Sequence, residues 1–285
     1  MATQSGSTPF TPVAVLGQGR AGRDLVRLLR DAGVARLRIW TRAHGPLPEE
    51  LEARTVILAV PDGAIAELAA SLAAAGCLQP DAVLLHLSGA LDASPLRAAC
   101  PGHPAASAHP LQTFVGDGQV RRPFPWVLEG DAAAVVAATA LTSILGCPSV
   151  ELPAADRARY HAAATVASNL LVALADLASR QAALAGVPAD QLPALFTPLM
   201  HTTLDNLARR GAADALTGPV ARGDVRTVQA HLEALADTPD DRRCYQHLSR
   251  PLVDLAEQRG LDPDSARTLR SLLAPPPDCG SPEGD

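Results

Sequence analysis

The sequence contains no lysine: all 24 basic residues of its 285 are arginine. That absence excludes any mechanism built on an ammonium acid or a lysine Schiff base. Aromatic residues make up only 3% of the chain. The arginines are scattered, so the stacking platforms and basic stripes of nucleic-acid-binding proteins are missing. The five cysteines (Cys77, Cys100, Cys147, Cys244 and Cys279) are odd in number and never fall in CxxC spacing. They argue against a disulfide framework and against a zinc site, so no metal is expected, and they predict reduced thiols in a cytoplasmic protein. Met1 to Thr11 has neither the basic nor the apolar segment of a signal peptide. No long unbroken apolar run is present either. The most apolar stretch, Ala162 to Ala178, is interrupted by Thr165, Ser168, Asn169 and Asp176. It reads as a buried helix of a soluble protein, not a membrane span.

What the chain has in quantity is Ala and Leu; 47% of it is hydrophobic and the formal net charge is −6. The length allows two domains, each with its own core. Between residues 13 and 151, short apolar runs alternate with helical stretches. The runs predict strands at Val13–Leu16, Arg36–Trp40, Thr55–Val60, Ala82–Leu87, Ala105–Ala108, Trp126–Glu129 and Pro148–Glu151. Helices are predicted near 20–32, 62–75, 92–99 and 131–145. Apolar strands alternating with helices predict an α/β fold, a doubly wound and mostly parallel Rossmann sheet covered on both faces. After Leu152-Pro153 the strand signals stop. Helices follow at about 155–185, 188–210, 224–236, 239–259 and 263–274. The expected organisation is therefore a nucleotide-binding domain over 12–152, an all-α domain over 153–274, and flexible tails at 1–11 and 275–285.

The most informative segment is Val13-Ala-Val-Leu-Gly17-Gln18-Gly19-Arg20-Ala21-Gly22. A strand feeds into G-x-G-x-x-G and a helix follows at once, which is the arrangement of a dinucleotide-binding turn. Gly17 serves the tight turn, Gly19 the approach of backbone to a pyrophosphate, and Gly22 the packing of helix on strand. Phosphates would sit on the free N–H groups of the new helix. Where NAD-binding chains place a carboxylate for the ribose, about 20 residues on, this chain has Thr41-Arg42. A hydroxyl and a guanidinium there, with Arg20 in the turn, argue for NADP(H) as cofactor.

Other constellations fall at predicted strand ends. Ala59, Val60 and Pro61 would line the cofactor, with Asp62 read as a helix cap. Ser88 and Gly89 follow the next strand, whereas His86 lies inside its apolar run and reads as a satisfied core histidine. His109 in Ser107-Ala-His-Pro-Leu-Gln-Thr is either a general acid or a structural histidine at a turn. In the helical region His161, Thr165, Ser168, Asn169 and Asp176 share one sector of a continuous helix, a polar stripe suited to a pocket. Finally, Leu216-Thr217-Gly-Pro-Val-Ala-Arg222-Gly-Asp224 opens onto a helix, a place for a carboxylate or phosphate unless Asp224 caps it.

These residues resemble those of the NADP-dependent reductases related to pyrroline-5-carboxylate reductase, ketopantoate reductase, prephenate dehydrogenase and β-hydroxyacid dehydrogenases. More closely, Gly17 to Gly22, His86 to Ala90, His109 to Phe114, Tyr160 to Asn169 and Leu216 to Asp224 are similar to motifs of a bacterial group. Its members are provisionally named NADP oxidoreductases, with a Rossmann-like domain and a C-terminal domain of unknown function. The resemblance spans about residues 12 to 272. His109-Pro110 resembles the element by which prephenate dehydrogenases place a catalytic histidine. Thr165-x-x-x-Asn169 resembles the Lys-x-x-x-Asn element of β-hydroxyacid dehydrogenases with Thr in place of Lys, a place where His161, one turn earlier, could substitute.

The resemblance implies an NADP(H)-dependent reductase of a small, carboxylate-bearing carbonyl or imine, working between two domains. His161 or His109 would deliver the proton, and Asn169 and Ser88 would orient the reacting group. Thr165 and Ser168 would line the substrate site, with Thr217 and Arg222 on the carboxylate. It also implies a homodimer formed through the helical domain. Neither nucleic acid nor membrane is an expected partner. The rival reading is a non-catalytic NADP-binding sensor or partner-binding protein.

Overall fold

The computed structural model describes residues 10–274. The expected flexible tails, 1–11 and 275–285, lie outside these residues except for Phe10 and Thr11. Phe10 is not tail-like: it is 1% exposed and packs in the core.

The chain forms two compact units that part between Leu170 and Leu171. In order, the first holds β1 (Val13–Leu16), α1 (Arg20–Asp31), β2 (Leu37–Trp40), β3 (Thr55–Leu58), α2 (Asp62–Ala75), β4 (Val83–His86) and α3 (Ser94–Ala99). It continues with β5 (Ala105–Pro110), β6 (Trp126–Gly130), α4 (Ala132–Ile144), β7 (Ser149–Glu151) and α5 (Arg157–Ala167). The seven strands lie in one sheet in the order β2-β1-β3-β4-β5-β6-β7. All neighbours are parallel except β5 and β6, which pair antiparallel. This is the expected doubly wound, mostly parallel architecture.

The strand sequences explain the two-sided burial. Successive residues of a strand face opposite sides, and here both sides are apolar. Val13 and Val15 join one core cluster with Leu25, Leu29 and Leu141, from α1 and α4. Ala14 and Leu16 join the other with Ile65, Leu72 and Leu96, from α2 and α3. β3 divides in the same way, Ile57 to one side and Val56 and Leu58 to the other. Because β1 sits between β2 and β3, the chain reverses its direction of travel across the sheet there. Sheets of this kind bind ligands in the crevice at that switch point, at the carboxyl ends of the strands.

The unit boundary comes later than the one expected near residue 152, since α5 bonds to the edge of the sheet through its own side chains. The helix expected over about 155–185 is two helices. α5 ends at Ala167, Ser168 leaves helical geometry (φ −121°, ψ −71°), and α6 (Asn169–Leu184) begins. Ser and Asn compete with the helix for its own backbone groups, and the break falls on that pair. The polar stripe assumed a continuous helix, so it does not survive. Asp176 instead pairs with Arg180 at the surface.

The remaining elements are α7 (Leu192–Ala215), α8 (Val225–Ala234), α9 (Pro239–Glu257) and α10 (Pro263–Leu272). α7 runs beyond the expected end near 210, with Gly211 in a non-helical conformation at φ 76° and ψ 173°. Val220, Val228, Leu232, Val253, Ala266, Leu269 and Leu273 make a small core in the second unit. By contrast, α6 buries no residue and α7 only Leu192. Val172, Leu184, Leu195 and Leu199 are exposed. The stretch Ala154–Leu184 has the length and mean hydropathy (1.5) of a membrane span, and none of its most apolar 18-residue window is buried. The expectation of a buried helix there is corrected on both counts, exposure and the break at Ser168.

Candidate functional site

The Gly-rich turn is built on close backbone contact. Gly17 has φ +109°, and a Cβ on it would lie 2.3 Å from the Ala59 carbonyl oxygen at the end of β3. A Cβ on Gly22 would meet the Gly17 carbonyl oxygen at 2.3 Å. Gly19 faces open space and stands at the N-cap of α1 with no side-chain cap and no acid in the first turn. The helix end is therefore left with unsatisfied N–H donors and an uncompensated positive dipole, the condition for anion binding.

A groove of about 720 Å³ opens at this point, at the carboxyl ends of β1 and β3. Gly17, Gln18 and Gly19 form one side, Ala59, Val60 and Pro61 another, and Trp40, Thr41 and Arg42 close the end beyond β2. Arg20, Ala21 and Gly22 form the first turn of α1. Arg42 is exposed and has no ion-pair partner among the described residues. Thr41 is held in place by His44, whose Nδ1 accepts from the Thr41 backbone N–H at 3.0 Å and lies 3.0 Å from its hydroxyl. His44 was not singled out from the sequence; the T-x-x-H spacing of this capping box was its signal.

A second cluster forms after β4. The Ser88 hydroxyl donates to Asp62 Oδ2 (2.8 Å) and accepts from the backbone N–H groups of Ala90 (3.2 Å) and Leu91 (3.0 Å). That hydroxyl is consumed in shaping the turn. Asp62 is not a helix cap as expected: it is the first residue of α2, behind Pro61, and its carboxylate accepts the Ser88 hydroxyl's hydrogen bond. His86 is a core residue, accepting from the Ser88 backbone N–H at Nδ1 and donating from Nε2 to the Asp92 carbonyl.

Gly89 follows, and two imidazoles converge on it. A Cβ there would lie 2.6 Å from His161 Nδ1 and 2.9 Å from His109 Nε2 and Cε1. The two rings stand edge to face, 6.0 Å between centroids. His109 Nδ1 shares a 2.7 Å hydrogen bond with the Tyr160 hydroxyl. Burial, then the nearby Arg157 guanidinium and His161, push the His109 pKa down to about 4. Burial raises the pKa of Tyr160. Arg157 is 2% exposed and donates from Nη2 to the Ser88 carbonyl at 2.8 Å. Its Nε and Nη1, like His161 Nδ1, are buried without a hydrogen-bond partner.

Thus His109, His161, Ser88 and Gly89 come together, while other expected residues do not join them. Thr165 lies on α5 beyond His161, and Ser168 marks the helix break. Asn169 is exposed at the start of α6. Thr217 and Arg222 belong to the second unit and are exposed. The N-terminus of α8 near them is taken by the chain's own carboxylate: Asp224 accepts from the Thr227 N–H at 3.1 Å and its hydroxyl at 2.7 Å. Arg157 and Tyr160 were missed as site residues. Their i, i+3, i+4 spacing with His161 puts all three on one helix face. Among the described residues, no cluster of three or more His, Cys, Asp or Glu could hold a metal ion.

A domain of unknown function, DUF2520, matches residues 124–252. The match starts at the second half of the sheet and runs through most of α9. Among solved structures, a provisionally named NADP oxidoreductase of Bacteroides fragilis is 22% identical with a TM-score of 0.70, covering 87% of this chain and 100% of its own. A Thermotoga maritima protein is 26% identical with a TM-score of 0.67, covering 87% and 99%. Pyrroline carboxylate reductase of Plasmodium falciparum, solved with NADP bound, is 10% identical with a TM-score of 0.59 over 94% and 100%. Among curated proteins none matches the chain. These likenesses establish a Rossmann-type fold and fit the family to which the sequence motifs point.

An imidazole held neutral by burial has a measurable signature. The His109 ring should titrate by NMR with a midpoint near 4; a midpoint near the ordinary 6.5 would contradict its burial beside Arg157. Between these two values the unfolded chain binds the proton more readily than the folded one. His109 therefore makes stability rise with pH across that window, fully present above it and lost as pH falls through it.

Proposed function

We propose that the protein is an NADP(H)-dependent reductase of a small carbonyl or imine substrate bearing a carboxylate. The observation that carries this reading is the pairing of two features on neighbouring strand ends. One is an uncapped, glycine-built phosphate cradle with a groove beside it; the other is a pair of imidazoles converging over Gly89. The relatives in fold that bind or are named for NADP support the same cofactor.

The residues present fit that cofactor. Gly17 to Gly22 leave backbone donors open to a pyrophosphate, and Thr41 and Arg42, with Arg20, offer a 2′-phosphate a hydroxyl and guanidinium groups where a carboxylate would repel it. When bound, the nicotinamide supplies a hydride. Reduction of a carbonyl or imine also needs a proton, and the two histidines divide that work. His109, neutral at pH 7, is a weak acid; it acts as a fixed hydrogen-bond partner for the reacting oxygen or nitrogen, with Tyr160 holding its ring. His161, on the other side of Gly89 with its Nδ1 uncommitted, delivers the proton. Ser88 acts through the turn that presents Gly89.

The exposed apolar residues of α6 and α7 support assembly as a homodimer through the helical unit. The free thiols at Cys77, Cys100, Cys147 and Cys244 support a cytoplasmic, reducing setting.

Two variants test the assignment. Replacing Arg42 with Ala removes a charge-assisted contact worth about 1.5–3 kcal/mol, so calorimetric titration should show NADPH weakened on the order of 10- to 100-fold while NADH is little changed. Equal losses for both would refute the 2′-phosphate role. His161→Ala should abolish turnover of 2-oxo and imino acids, followed by NADPH absorbance, while leaving NADPH affinity intact; unchanged turnover would remove His161 from the chemistry.

A further inference from the structure

We propose that Arg157 is the anion anchor of this site, holding the substrate carboxylate beside Gly89 within reach of the two imidazoles. The inference rests on the reductase reading only for the choice of a carboxylate as the anion. Its own support is geometric.

A guanidinium taken out of water loses hydration that must be recovered from acceptors, and buried charges are paired for that reason. Arg157 is 2% exposed, yet no carboxylate among the described residues lies within ion-pair distance of it. Glu129, the carboxylate whose charge bears most on it, is engaged by the Ala93 N–H at 2.8 Å and by Arg97 at 3.5 Å. Arg157 makes one hydrogen bond, to the Ser88 carbonyl, and its Nε and Nη1 donors face no acceptor.

The deficit is local. Of the five buried side-chain atoms without a partner among the described residues, three belong to Arg157 and His161. Arg157 is tied to the Ser88 carbonyl and His161 Nδ1 stands against Gly89, whose missing Cβ keeps His109 and His161 uncrowded. Two uncommitted donors of a fixed cation and a free imidazole nitrogen, on side chains that meet the consecutive residues Ser88 and Gly89, form the complement of a small planar anion. The substrate class is then a short 2-oxo or 2-imino acid, its carboxylate on Arg157 and its reacting carbon at the imidazoles. A water molecule would satisfy the same donors without bringing charge, and this is the alternative the experiment must separate.

The probes are pyruvate and methyl pyruvate, the same ketone with and without the charge. They are titrated at constant ionic strength into the whole protein while the imidazole resonances of His109 and His161 are followed by NMR. Pyruvate should bind saturably and move both rings, and methyl pyruvate should not. A bound anion offsets the Arg157 charge, so the His109 titration midpoint should rise when pyruvate is bound. Arg157→Gln should weaken pyruvate at least tenfold and Arg157→Lys less. Pyruvate that binds no better than its ester, or equally well to Arg157→Gln, overturns the proposal and leaves water as the occupant.

If Arg157→Gln fails to fold, Gly89→Ala decides, because its Cβ takes the same space; undiminished pyruvate binding there overturns the anchor. NADPH is titrated into the same samples. NADPH binding without pyruvate binding rejects the anchor and spares the reductase reading. Pyruvate binding without NADPH binding does the reverse.

Discussion

The first unit depends on one backbone contact that only glycine permits. At the end of β1 the chain must turn into α1 while passing the end of β3 so closely that a Cβ on Gly17 would sit inside the Ala59 carbonyl. The positive φ at Gly17 and the tight approach of Gly22 to Gly17 follow from that demand. So does the site. Because the turn is short, the N-terminus of α1 emerges at the carboxyl edge of the sheet, where order reverses across β1, with its first N–H groups unspent. A longer or capped turn would have buried or satisfied them. The same packing that makes the sheet therefore leaves a positive, donor-rich end facing a groove.

Charge is arranged around this frame with an economy set by the missing lysine. Every fixed cation is a guanidinium, which stays charged when buried and donates in a plane. One exposed example, Arg42, ends the groove, and one buried example, Arg157, stands beneath Ser88 and Gly89. The buried one also discourages protonation of His109, adding to the effect of that ring's burial.

Much of this was legible in the sequence, for reasons that are local. Strands such as Val13–Leu16 and Thr55–Leu58 are apolar on both faces and are followed by glycine or proline, and a parallel sheet with helices on both sides is the arrangement that buries such strands. The glycine spacing and the missing carboxylate after β2 identified the groove and its end. The rest depended on contacts that periodicity does not encode. The break at Ser168 set aside a stripe calculated for an unbroken helix, and Asp176 went to the surface with Arg180. Arg157 read as one more scattered arginine, because its significance lies in what it fails to meet after folding. His44 shared a capping box with Thr41 that is visible only once the turn after β2 is seen to be helical. The exposed apolar residues of α6 lie in a stretch read as buried because composition reports hydrophobicity and not what covers it.

The central claim is that the groove beside Gly19 and the imidazoles over Gly89 are two ends of one nucleotide-dependent site. The most direct measurement follows the His44, His109 and His161 ring resonances during titration with NADPH and, separately, with adenosine 2′,5′-bisphosphate, which lacks the nicotinamide half. The account predicts that the bisphosphate perturbs His44 alone and that NADPH perturbs all three. NADPH that moves His44 and leaves His109 and His161 untouched, or moves none of them, would contradict it.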